Sequence, residues 1–212
     1  MNVVDVQQGS DDWKQARCGY VTASRIADVM AKGKGNKEAT TRANYRAEIV
    51  VEMLTGKPYE ADFRPSKDME RGNEMEPYAR IAYAQQSDLP VYQVGFVLHP
   101  YIDWAGASPD SLVGEDGLLE IKSPKSKTHL IYLLHDKVPT DYEKQMLWQM
   151  ACTGRAWCDF VSFDNRFPPS KQLFIKRLER NDKKIAEIEK EVILFNSEVD
   201  RVLEKLGVYE EF

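Results

Sequence analysis

Two apolar-bearing runs, residues 104 to 113 and 118 to 122, flank Gly114-Glu115-Asp116-Gly117, and no other stretch limits the fold as tightly. A short polar turn bounded by glycines between such runs is a hairpin signal. A hairpin is not stable alone and must bury its faces against further strands or helices. The flanking sequence offers both. Upstream, Ser10 suits the cap of a helix that Gly19 stops, and Thr22 suits the cap of a second helix through Ile26 and Val29. Lys32 to Lys37, glycine-broken and including Asn36, reads as a basic loop. A third helix is expected from about Thr41 to Leu54, followed by a loop that Pro58 and Pro65 keep open. A helical pattern resumes near Asp68 and reaches Tyr83, although Gly72 and Pro77 demand a kink or a fresh start inside it.

Val91, Val94, Phe96 and Val97 suggest one strand, and residues 104 to 113 another. Downstream come helices around His129 to Leu134 and Thr140 to Cys152, then strands at Trp157 to Phe163 and Gln172 to Leu178. A long amphipathic helix starts near Asn181-Asp182, with Ile185, Ile188, Val192, Phe195, Val199, Val202 and Leu206 forming a stripe that reads as core. The expected fold class is α/β: a central mixed β-sheet flanked by helices, with N-terminal helices and a long C-terminal helix. With 212 residues, 42% of them hydrophobic, the chain is read as one domain over 1–212. Three cysteines without a Cys-x-x-Cys pair argue for buried thiols in a reducing compartment. No signal-peptide pattern and no long apolar run is present, so the expected location is the cytoplasm, with no membrane.

The hairpin also carries the chemistry. Side chains alternate along a strand, so Glu120 and Lys122 leave the same face, roughly 6.5 to 7 Å apart, while Ile121 faces core. A loop of effectively five residues, Val113 to Gly117, sets Asp110 opposite Glu120, with Cβ atoms about 4.5 to 5.5 Å apart. A four-residue loop opposes Asp110 to Ile121 instead, and the acids then part to opposite faces. If they converge, their repulsion calls for a hard divalent cation, magnesium or manganese rather than zinc. Lys122 beside it, with a lowered pKa, would suit orienting or deprotonating a water. Taken alone, the pattern also fits a surface ion pair on an edge strand.

Ser108-Pro109-Asp110 followed by Glu120-Ile121-Lys122 resembles the PD…ExK signature of the restriction-endonuclease-like nucleases. More narrowly, Gln8-Gly9-Ser10-Asp11-Asp12-Trp13, Arg17-Cys18-Gly19 and Thr22-Ala23-Ser24 resemble the opening of the phage lambda exonuclease, or YqaJ-like viral recombinase, family. Gly72-Asn73-Glu74-Met75-Glu76 and Tyr142-Glu143-Lys144-Gln145-Met146 resemble later blocks of that family. The resemblance implies a restriction-endonuclease-like core and a 5′→3′ exonuclease that digests one strand of linear double-stranded DNA to mononucleotides. It implies that Asp110, Glu120 and the Ile121 carbonyl ligate Mg2+, with Mn2+ able to substitute and two ions per site. Lys122 would serve the nucleophilic water, and Glu76 would support the metal site. It assigns the 5′-phosphate to Arg17, Ser24, Ser108 and Gln145, with Gln149 as a substitute for the last. Trp13 would pack its helix or stack on a base, and Met69 is either an apolar wedge or core. A homotrimer ring around DNA and a single-strand-annealing recombinase partner are further expectations.

Net charge is −5, but unevenly distributed. Lys14 to Arg46 hold eight basic and two acidic residues, and from Glu179 onward ten acids meet six bases. This polarity suits a protein that follows a phosphate backbone on one surface. Two other readings remain: an endonuclease of the same fold, and a non-catalytic DNA-binding or assembly subunit.

Overall fold

The computed structural model describes residues 1–35, 37–59 and 66–208; Asn36 and Pro65 lie outside the described residues. Helix α1 (Asp11–Ala16) starts where Ser10 Oγ accepts the Trp13 N–H at 3.1 Å. A 3-10 turn at Ala23–Arg25 precedes the short α2 (Ile26–Val29), so the second helix is tighter at its start than expected. Helices α3 (Thr40–Thr55) and α4 (Lys67–Ser87) follow. Helix α4 runs unbroken through Pro77, with no fresh start. Proline removes the donor to the Asn73 carbonyl, but both residues are exposed, where solvent can take its place, and the helix continues.

Nine strands form two sheets among the described residues. The first contains β1 (Asn2–Val4), β2 (Val21–Thr22), β4 (Phe96–Leu98) and β5 (Ala105–Ala107), in the order β1-β4-β5-β2. The second is the central mixed sheet. It contains β3 (Val91–Tyr92), β6 (Ser111–Val113), β7 (Gly117–Lys122), β8 (Trp157–Phe163) and β9 (Leu173–Glu179), in the order β3-β6-β7-β8-β9. Strand β7 is its middle strand, parallel to β8 and antiparallel to β6. The single strands expected at 91–97 and at 104–113 are therefore each two strands in different sheets. Gly95 marks one crossing: a Cβ there would lie 2.3 Å from the Val4 carbonyl oxygen, which only glycine allows.

The helices cover the central sheet on both faces. Helix α4 brings Ala79 and Tyr83 against Leu119, Ile121, Val161 and Phe163. The larger cluster, which includes Leu118 and Phe160, joins α6 (Thr140–Thr153) to α7 (Asp182–Lys205), while α5 (Ser126–His135) lies beside β8 and β9. In α7 the stripe from Ile185 to Val199 is buried as expected, but Leu203 takes its last place and Leu206 is exposed. A step of four from Val199 keeps pace with the 3.6-residue helical period there. No helix among the described residues is long and apolar enough to cross a membrane.

Candidate active site

The hairpin register places the two acids together. Ser111 pairs with Leu119 and Val113 with Gly117, so one step further Asp110 stands across from Glu120. The turn proper holds only Gly114, Glu115 and Asp116. At its far end the Trp157 ring lies so near that a Cβ on Gly117 would come within 2.1 Å of it. Arg155 fastens the same turn: its Nη1 donates to the carbonyls of Val113, Gly114 and Gly117 at 3.1, 3.0 and 2.7 Å. Asp110 Oδ2 accepts the Ile121 N–H at 2.6 Å, which holds the carboxylate over the end of β7.

Glu120 is 0% exposed, so the edge-strand surface pair is excluded. Gln145 and Gln149, one turn apart on α6, reach down to it. Gln145 Nε2 donates to Oε1 at 2.7 Å and Gln149 Nε2 to Oε2 at 2.6 Å. Lys122 Nζ pairs with the same carboxylate and lies 5.2 Å from the centre of the Tyr142 ring. Burial acts to lower the Lys122 pKa, but the charges of Glu120 and Asp110 outweigh it and the net shift is upward. The two carboxylates thus favour the ammonium form of Lys122. Asp110 is held well above the ordinary carboxylate range, first by loss of solvent and then by the charges of Glu120 and Glu76, against the pull of Lys122.

Glu76 approaches from α4, where it pairs with Arg80 one turn on. Arg80 also donates through Nε to Ser111 Oγ at 2.9 Å and through Nη2 to the Asp110 carbonyl at 3.4 Å. The sequence reading missed Arg80, although its position four residues after an acid that already stood out was the available signal. Among the described residues no three His, Cys, Asp or Glu side chains cluster as a metal cage. Asp110, Glu120 and the Ile121 carbonyl instead offer two carboxylates and one backbone oxygen. That hard-oxygen set fits magnesium, which keeps several waters of its own, and two crowded acids with one ammonium lack positive charge.

Arg17, Ser24, Ser108 and Gln145 line one cleft of about 580 Å³ together with Glu76 and Asp110. A second hollow of about 380 Å³ shares Glu76 and Asp110 and extends past Lys122 to Tyr142. Met69 sits on its rim, 48% exposed, which excludes a core role. The Arg17 guanidinium lies 3.9 Å from the centre of the Trp13 ring and, among the described residues, makes no ion pair. Burial lowers its pKa, while Tyr45 and Glu52 oppose that. Trp13 is half-buried, and its Nε1 donates to Ser108 Oγ at 2.9 Å, so it braces both Arg17 and Ser108. Gln145 lines the same cleft, its amide engaged with Glu120.

The basic surface is smaller than its sequence suggested. Arg42 pairs with Glu198 at 3.0 Å and Arg46 with the same residue at 3.0 Å, so part of the basic segment neutralises the acidic last helix. Arg25 pairs with Asp28 and Glu48, each at 2.6 Å.

A central mixed sheet whose middle strand presents Glu120 and Lys122, with Asp110 facing Glu120 from just before the neighbouring strand, has the architecture of the restriction-endonuclease-like fold class. Within that class, the chain belongs to the YqaJ-like viral recombinase family, whose domain matches residues 12–156. It is similar to an alkaline exonuclease, LHK-Exo, from Laribacter hongkongensis, at 46% identity over 95% of this chain and 98% of that one, with a TM-score of 0.86. The structure of LHK-Exo in complex with dAMP gives the same identity and coverage and a TM-score of 0.87. A phage-related exonuclease from Haemophilus somnus 129PT shares the fold at 16% identity, covering 88% of this chain and 96% of that one, with a TM-score of 0.67. No curated protein matches the chain.

Proposed function

We propose that the protein is a metal-dependent 5′→3′ exonuclease acting on linear double-stranded DNA with 5′-phosphorylated ends. It releases mononucleotides and leaves a 3′ single strand. The observation that carries this reading is the shared cleft, which Arg17, Ser24 and Ser108 line together with Asp110 and Gln145. An arginine and two hydroxyls beside the carboxylates can hold a terminal phosphate while the next phosphodiester is cut. The similarity to an alkaline exonuclease supports it, and the dAMP complex of that enzyme accords with a mononucleotide product.

Asp110, Glu120 and the Ile121 carbonyl would hold Mg2+ or Mn2+, with a second ion beside the first. When bound, the cation supplies Lewis acidity to the phosphodiester and offsets negative charge during in-line displacement. The protein groups do the rest. The Arg17 guanidinium, with hydroxyls from Ser24 and Ser108, grips the terminal phosphate and sets the next phosphodiester over Asp110 and Glu120. The Lys122 ammonium orients the attacking water and donates to a phosphoryl oxygen. The water oxygen bonds to phosphorus and gives up a proton to solvent, the bond to the 3′ oxygen breaks, and that oxygen takes a proton from solvent as the nucleotide leaves. The shortened strand again ends in a 5′-phosphate, the group Arg17 binds. A homotrimer ring around the duplex would keep the enzyme on its track, and the 3′ tail would pass to a single-strand-annealing recombinase.

The test is digestion of linear duplex with a 5′-phosphate or a 5′-hydroxyl, and of a closed circle, in Mg2+ and in chelator. Faster loss of the phosphorylated strand, an intact circle and no reaction in chelator are expected. A cut circle supports the endonuclease, and an effect on DNA that persists in chelator supports the binding subunit.

A further inference from the structure

Two crossings of the chain between its sheets lie side by side. Residues 93 to 95 connect β3 to β4, and Ser108-Pro109-Asp110 connects β5 to β6. Carbonyls at such crossings have no ladder partner and need another donor. Gln8 provides it for both: its Nε2 donates to the Val94 carbonyl at 2.7 Å and to the Pro109 carbonyl at 2.8 Å. A carboxamide nitrogen carries two hydrogens, so both bonds form at once. The first crossing is firmly seated, because Gly95 next to Val94 is pressed against the backbone of Val4 and Val6. Gln8 therefore ties a turn that carries an acid to a crossing packed tightly against the N-terminal segment.

The tie falls on the peptide that aims Asp110. The Pro109 carbonyl belongs to the peptide unit leading into Asp110, so rotating it swings the carboxylate away from Ile121 N–H and Glu120. The other end of the same turn is held from the same N-terminal segment, by Trp13 Nε1 on Ser108 Oγ at 2.9 Å.

We propose that Gln8 is a positioning residue for the Asp110 carboxylate, acting through the Pro109 carbonyl. This rests on the reading of Asp110 as a metal ligand. Gln8→Met keeps the length of the side chain and removes both donors. The test titrates Mn2+ by calorimetry into the wild type, Gln8→Met and Asp110→Asn, with thermal melts of each and with kcat and KM on 5′-phosphorylated duplex at limiting Mn2+. Partners that orient a metal-binding group are worth about 10-fold or more in metal affinity, so Gln8→Met is expected to bind Mn2+ about 10-fold more weakly. Its kcat at limiting Mn2+ falls in step, with KM for the duplex unchanged. Wild-type Mn2+ affinity in folded Gln8→Met overturns the proposal, as does a raised KM with unaltered Mn2+ affinity, which makes Gln8 a DNA contact. Loss of the folded state in both Gln8→Met and Gln8→Ala also overturns it, since the proposed effect is confined to the turn. A wild type that binds no Mn2+, or an Asp110→Asn variant that binds it equally well, refutes the metal reading itself and this inference with it.

Discussion

Replacing Gln149 by leucine tests how the carboxylate of Glu120 is held inside the protein. Glu120 is fully buried, and its two oxygens receive one amide each from Gln145 and Gln149, at 2.7 and 2.6 Å. Leucine roughly fills the space of glutamine but donates nothing, so Oε2 loses its amide where water has no access. The Cys158 thiol lies 3.8 Å from the Gln149 side-chain oxygen Oε1 and is a weak donor, so the Glu120 contact dominates the loss. A hydrogen bond to a charged group contributes about 1.5 to 3 kcal/mol. In a chain of this length each kcal/mol moves the unfolding midpoint by about 2 to 4 °C, so a fall of about 3 to 12 °C is expected. The assay is thermal unfolding by circular dichroism in chelator, where no cation substitutes for the lost donor. Repeating it in a Glu120→Gln background removes the carboxylate, and the cost of Gln149→Leu should then drop below about 1 kcal/mol. A midpoint within about 1 °C of wild type, or the same cost in both backgrounds, refutes the argument.

Asp110→Asn should stabilise the chelated protein at neutral pH. A carboxyl whose pKa is raised by folding supports the fold fully below its unfolded value, near 3.9, and less and less as pH rises through the folded value. The asparagine variant lacks that decline above about pH 4, and added Mn2+ should stabilise wild type but not the variant. An equal gain from Mn2+ in both would contradict the assignment. Arg155→Met removes a shared donor from three carbonyls of the hairpin turn and should cost about 1.5 to 3 kcal/mol in urea unfolding, with faster amide exchange at residues 114 to 117. Unchanged exchange there would mean that the turn does not depend on Arg155.

The long elements were legible because their signals are local. Asn181 caps α7 by accepting the Lys184 N–H, Gly154 ends α6, and the stripe of α7 repeats at helical spacing. The hairpin was legible too, although its register was not, because the register rests on Arg155 and on the Trp157 ring over Gly117, both far along the chain. Strands β1 and β2 span three and two residues, too short for any periodicity. The two-sheet division was hidden for another reason: Gly95 and Gly106 lie inside spans that read as single strands, and the close approach at each shows only when the neighbouring chain is in place. At the site, Asp110, Glu120 and Lys122 suggested metal-dependent chemistry only together with their context and the family resemblance, since alone they also fit a surface ion pair. The upward shift of Lys122 was not legible, since it depends on burial beside Glu120. The ion pairs of Arg42 and Arg46 with Glu198 likewise join distant segments, so their charges looked free in the sequence.

Asp110→Ala and Lys122→Ala, each purified and shown by melting to be folded, should be given a linear 5′-phosphorylated duplex in Mg2+ and followed for mononucleotide release in a single turnover. Neither variant is expected to release nucleotide above the level seen in chelator, while both still bind the duplex. Release at the wild-type rate by either one would mean that the acids and the ammonium on this ribbon do not carry the hydrolysis.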